Sequence, residues 1–189
     1  MKTGTLLQVE VTLQTCGLED IASKIGQSQP QSAPSHDVGS AIAPDQLLSE
    51  TLWTGLFQQW LTKLSPVLSP IGSYELTLRL THDAEIQSLN RDYRQIDQST
   101  DVLAFSALDE VMDLPESAYT AMPFYLGDVI ISVETAIAQA QQQEHLLATE
   151  LLWLATHGLL HLLGWDHPDD SSLEEMLAQQ SHLISCLKV

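Results

Sequence analysis

From Ala155 to His167 the chain reads ATHGLLHLLGWDH, three histidines within eleven residues on a stretch that is otherwise almost wholly apolar. An imidazole is expensive to bury without partners, so a fold that takes this segment into its core must supply them. His157 and His161 stand four apart, which on a helix puts both rings on one face about one turn from each other, within reach of a single metal ion. Gly164 falls where the chain must leave the helix, a place that is often left-handed and that glycine enters without Cβ strain. His167 can then swing back as a third ligand. Three neutral imidazoles suit Zn2+, one ion per chain, and leave a fourth position for water, the arrangement of a catalytic rather than a structural zinc site.

A single histidine on an apolar helix is more often a hydrogen-bonded core residue than a ligand. Three in HxxxHxxGxxH spacing, two of them in the most apolar helix of the chain, are read here as ligands. The spacing is that of metzincin proteases with one departure: the glutamate that should follow the first histidine is Gly158. That glutamate is the base that deprotonates the attacking water in peptide hydrolysis, so its absence weakens a peptidase reading.

The rest of the chain supplies a frame for such a helix. A length of 189 residues is most simply one domain, residues 1–189, and is enough to bury a real core. Alternating apolar positions predict strands over 6–14, 73–81, 101–106 and 126–134. Helical spacing predicts helices over 45–65, with Asp45 as N-cap, over 82–94 with Ile86, Leu89 and Tyr93 inward, and over 135–145, 148–164 and 169–187. Residues 15–44, rich in Ser, Gln, Gly and Pro, read as a flexible insertion, and 107–123 as an acidic loop. About four strands in a small mixed sheet, packed with a buried late helix and further helices, make an α+β domain.

Charge limits the partners. Seven Lys and Arg against 25 Asp and Glu give a net charge of −18, which argues against tight nonspecific binding to nucleic acid. Lys2, Lys24, Lys63, Arg79, Arg91 and Arg94 all precede residue 100 and only Lys188 follows it, so a polyanion would be met by the first half or by a metal. No run of 18 apolar residues or signal-peptide stretch occurs, which predicts a soluble, cytoplasmic protein with no membrane partner. Cys16 and Cys186, far apart in the chain, read as ordinary thiols.

HGLLHLLGWDH resembles the signature of the YbeY family, bacterial endoribonucleases of ribosomal RNA maturation and ribosome quality control. LNRDYRQIDQSTDVLAFS resembles that family's asparagine, aromatic-arginine and TDVLSF block, and LGDVIIS its glycine-aspartate strand. The resemblance implies a zincin-like fold, one zinc held by His157, His161 and His167, and metal-dependent cleavage of single-stranded RNA, including 16S rRNA 3′-end maturation. It implies a ribosomal RNA precursor as substrate, the small ribosomal subunit or its proteins as partner, and no DNA. The family's functional arginine falls on Arg94. A guanidinium there fits phosphodiester cleavage, because its fork can stabilise two of the developing charges on phosphoryl oxygens. Ala104 and Ser106 depart from the family's usual LSFPF-type segment.

Asp166 reads as a cap of the turn or a partner that orients a histidine, Asp128 as an anchor for the start of its strand, and Thr100 and Asp101 as shaping the entry to the third strand. Met176 reads as core. His36, His82, His145 and His182 share no spacing and stay unassigned. Two other classes keep the same ligands: a zinc metallopeptidase, which would need a carboxylate base, and a noncatalytic ribosome-assembly factor with a structural zinc.

Overall fold

The computed structural model describes residues 7–28, 38–109 and 121–188. Four strands, β1 (Gln8–Thr15), β2 (Ser73–Thr81), β3 (Val102–Ser106) and β4 (Phe124–Ser132), form one sheet in the order β1-β2-β4-β3. β1, β2 and β4 run parallel, and β3 closes the far edge antiparallel to β4. Six α-helices accompany them among the described residues: α1 (Leu18–Gln27), α2 (Glu50–Leu64), α3 (Asp83–Arg94), α4 (Val133–Gln142), α5 (Leu147–Leu162) and α6 (Asp170–Ser185). The chain is thus α+β with a mixed four-stranded sheet, as its patterning predicts.

Successive residues of a strand face opposite sides of a sheet, and β4 uses both. Val129 and Ile131 enter the main core with Tyr74, Leu76, Leu78 and Leu80 of β2 and with Leu151 and Leu159 of α5. Ile130 instead joins Ile86 of α3 and Leu103 of β3 in a smaller cluster. α5 and α3 therefore cover opposite faces of the sheet.

α5 is buried nearly all round, as a helix of this composition must be. Its exceptions are Thr149, Trp153, His157 and His161, four positions at intervals of four that form one partly exposed stripe. At the start of α5 the buried Glu150 carboxylate takes the ring of His145 as its partner, Oε2 to Nε2 2.5 Å, and burial raises its pKa above the usual carboxylate range.

The structure corrects several expectations. Residues 15–44 are not a uniformly flexible insertion: α1 lies within them, with Ile21 and Ile25 in the core and Lys24 bonded to Glu134 of α4 at 2.8 Å. Two apolar side chains at i and i+4, in a segment rich in small polar residues, gave too little periodicity to announce this helix. Residues 29–37 lie outside the described residues, as do 110–120 of the acidic loop, whose start at Ala107–Asp109 is a short 3-10 turn.

The helix read from Asp45 is broken in two. Pro44–Leu48 is a 3-10 turn, Ser49 is extended, and α2 begins at Glu50, so Ser49 and not Asp45 is its N-cap. Leu47 is buried there and its carbonyl accepts from Trp53 Nε1 at 2.9 Å, which fastens the break. Tyr93 points outward, 69 % exposed, because α3 ends at the rim of the sheet, and its ring meets Phe105 edge-on at 4.9 Å. Asn90 takes the inner position instead, donating through Nδ2 to the Gln98 carbonyl at 2.8 Å. Asp128 lies in the middle of β4, not at its start, and accepts from Tyr125 Oη at 2.8 Å.

Candidate metal centre

The partly exposed stripe of α5 carries two of the three histidines. His157 and His161 stand one turn apart with their rings crossed at 80°, and their Nε2 atoms are 3.1 Å from each other. Gly164 then reverses the chain at φ +85°, with its N–H on the His161 carbonyl at 2.9 Å and the Trp165 N–H on the Leu160 carbonyl at 3.0 Å. Glycine meets this left-handed requirement without strain. The reversal returns His167, whose ring centre lies 5.6 Å from that of His157 and 5.2 Å from that of His161. Asp166 Oδ1 accepts the His167 N–H at 2.8 Å, so this side chain holds the turn that presents the third ring.

One ring nitrogen from each of the three histidines lies within 4.8 Å of the others, and no other such group of His, Cys, Asp or Glu occurs among the described residues. Two nitrogens bound tetrahedrally to zinc at about 2.0–2.1 Å stand about 3.3 Å apart, so the spacing of His157 and His161 fits a shared ion closely. Burial lowers the pKa of His157, the neighbouring His167 adds to this, and Gln180 and Asp101 oppose it. Burial also lowers that of His161, reinforced by His157 and His167 and opposed by the Trp165 backbone and Asp166. Lowered values favour the neutral imidazole, the form that binds a metal.

Gly158 has its own explanation. A Cβ built there would stand 2.6 Å from Val129 Cγ1, so this side of α5 is pressed against β4. The position that holds the catalytic glutamate in metzincins faces the sheet here, where a carboxylate has neither room nor water.

Arg94 ends α3, exposed, with no hydrogen bond or ion pair among the described residues, and it is not bonded to the triad. Three other cations are occupied: Arg79 pairs with Glu85, Arg91 with Asp92 and Asp97, and Lys24 with Asp20 and Glu134. A path of contacts joins the end of α3 to the end of α5. Tyr93 rests on Phe105 of β3, and the next residue, Ser106, donates from Oγ to the Leu162 carbonyl at 3.0 Å. Asp101 shapes the entry to β3 as expected, its Oδ1 accepting from Val102 N and Thr100 Oγ1. Met176 is fully buried.

Of the unassigned histidines, His82 caps α3, its Nδ1 accepting from Glu85 N at 3.4 Å, and its Nε2 lies 3.7 Å from Cys16 Sγ. His182 lies beside Cys186, and His36 is outside the described residues. A residue the sequence did not mark is Gln180, fully buried on α6, with Oε1 3.3 Å from His157 Nδ1. Its only sequence signal is a polar side chain interrupting the inner stripe Met176, Gln180, Leu183.

Known proteins are similar to this chain along nearly its whole length. An Endoribonuclease YbeY of Acaryochloris marina is 49 % identical over 183 residues, 97 % of either chain, and one of Nostoc sp. is 46 % identical over 189 residues, 100 % of this chain and 95 % of its own. The solution structure of TM1509 from Thermotoga maritima aligns over 94 % of this chain and 87 % of its own, at 20 % identity and a TM-score of 0.46, too distant to inform the site. The family model described as Endoribonuclease YbeY matches residues 43–188, a span that includes Arg94, Gly158 and all three histidines. The chain therefore belongs to the Endoribonuclease YbeY family.

Proposed function

We propose that the protein is a zinc-dependent endoribonuclease that cuts single-stranded RNA in the maturation of ribosomal RNA, at the 3′ end of the 16S species, and in ribosome quality control. The observation that carries this reading is the convergence of three half-buried imidazoles at the end of α5, in a chain whose full-length relatives are named endoribonucleases. His157, His161 and His167 would hold the ion. Zinc supplies Lewis acidity at a phosphoryl oxygen or at water.

The remaining roles fall to this chain's own residues. Arg94, exposed and unpaired among the described residues, offers its guanidinium fork to the phosphoryl oxygens that gain charge during cleavage. Tyr93 beside it, in edge contact with Phe105 but largely exposed, offers ring surface to an unpaired base, the combination of stacking surface and cation that suits a single strand. Gly158 argues against peptide hydrolysis, since it neither provides a carboxylate nor leaves space for one. Few cations remain free for naked RNA, so delivery by the small ribosomal subunit, in the cytoplasm, accounts best for the charge.

The test incubates the zinc-loaded protein with single-stranded RNA carrying the small-subunit precursor end, with and without a chelator, and with casein in parallel. Cleavage of RNA alone, lost with the chelator, is expected. Chelator-sensitive proteolysis would favour the peptidase, and zinc without any cleavage of RNA, free or in subunits, the assembly factor.

A further inference from the structure

Gln180 reaches from α6 to two successive turns of α5. Its Nε2 lies 2.7 Å from the Trp153 carbonyl and its Oε1 3.3 Å from His157 Nδ1. The carbonyl can only accept, so the amide nitrogen must face Trp153, and the amide oxygen is then the atom that faces His157. An oxygen there requires a proton on Nδ1. In a neutral imidazole this leaves the lone pair on Nε2, the atom that stands 3.1 Å from His161 Nε2 at the point where the three rings converge.

From this geometry we infer that Gln180 is a positioning residue of the metal centre: it fixes the tautomer and the ring orientation of His157 so that Nε2 is presented to the ion. The inference rests on the zinc reading above and assigns a role outside the three ligands. The surroundings favour a fixed amide. Gln180 is fully buried on the same inner face of α6 as Met176 and Leu183, so its amide is held away from bulk solvent. A partner of this kind, bonded to the distal nitrogen of a ligating histidine, is worth about 10–100-fold in metal affinity.

The experiment measures zinc affinity of the full chain by competition with a chelating indicator, for wild type, Gln180→Leu and Gln180→Glu. The leucine removes the acceptor at similar volume, whereas the glutamate, as a neutral acid, keeps a carbonyl oxygen for Nδ1–H and a hydroxyl donor for the Trp153 carbonyl. Expected is a ~10–100-fold weaker affinity for Gln180→Leu and recovery of most of it by Gln180→Glu. Nitrogen-15 shifts of the His157 ring in the zinc-free wild type, a readout that needs no variant to fold, should report the proton on Nδ1. Wild-type affinity in Gln180→Leu, equal losses in both variants, or a proton on Nε2 would overturn the assignment of Gln180 alone. A wild-type protein that takes up no zinc would overturn the metal reading with it.

Discussion

Gly158 of α5 and Val129 of β4 approach so closely that a single added carbon has no place: a Cβ at 158 would lie 2.6 Å from Val129 Cγ1 and 3.0 Å from Cγ2. The helix that carries the histidines is thereby seated on the sheet at its own level of the core. Overpacking of this kind costs about 1–3 kcal/mol. Gly158→Ala should lower the stability by that amount in denaturant unfolding, and Val129→Ala should recover part of the loss when combined with it. Strict additivity of the two substitutions would show that the contact is not what constrains position 158. Gly158→Glu, which supplies the metzincin carboxylate, should disrupt folding and confer no peptidase activity.

The metal prediction follows from three convergent nitrogens. Purified protein should contain about one zinc per chain, and His161→Ala should lose most of it, because the remaining pair is a poor site. Stoichiometric zinc retained by a triple alanine variant at His157, His161 and His167 would place the ion elsewhere.

The two substitutions that separate binding from chemistry lie at Arg94. Arg94→Ala should keep its zinc and its unfolding midpoint, since the side chain bonds to nothing else among the described residues, and should cleave RNA ~10²-fold more slowly. Arg94→Lys should rescue only partly, because it restores the charge without the planar fork. An alanine variant with the wild-type rate would reduce Arg94 to a solvated helix end.

These residues also mark how far the sequence could be read. β2 was legible at its true limits because Tyr74, Leu76, Leu78 and Leu80 all face one core, so local alternation and tertiary burial agree. The triad was legible because its geometry is local: one helical turn and one left-handed glycine bring His157, His161 and His167 together. α1 was not, since it is held by Lys24 reaching Glu134, 110 residues away, and such a bond leaves no trace in a window of sequence. Tyr93 misled because helical periodicity does not say where the sheet beneath a helix ends. Gln180 was invisible for a related reason: a polar residue on an inner face is informative only once its partner, 23 residues back, is known.

Glu134 gives a dependence on pH with a definite sign. Its carboxylate accepts from Lys24 Nζ and from the Asp83 N–H, both at 2.8 Å, and chiefly the lysine, then the backbone bond, holds its pKa below the usual value of 4.5. A depressed folded-state value means that the contribution to stability is present above the unfolded pKa and is lost as the pH falls through the folded one. Glu134→Gln should therefore unfold at lower denaturant than wild type near neutrality, and the gap should close as the pH falls below the usual carboxylate value of 4.5. A gap that persists undiminished in acid would mean that packing, not charge, accounts for the difference.

The pairing of the basic residues bears on how RNA is bound at all. With a net charge of −18, and with Lys24, Arg79 and Arg91 already facing carboxylates, Arg94 has few described companions with which to displace counterions from a free strand. A single strand releases counterions with a slope of about −0.7 per phosphate neutralised, so one or two contacts predict a shallow slope of about −1 and weak affinity. Efficient cleavage then requires a surface that brings the RNA to the site, and basic proteins of the small ribosomal subunit would complement an acidic chain. The same precursor RNA should be cut slowly when free and quickly within immature subunits, with little change for the free RNA across a salt series. Equal rates on the two substrates, or a steep salt slope on free RNA, would show that this protein holds RNA unaided and that its acidity serves some other purpose.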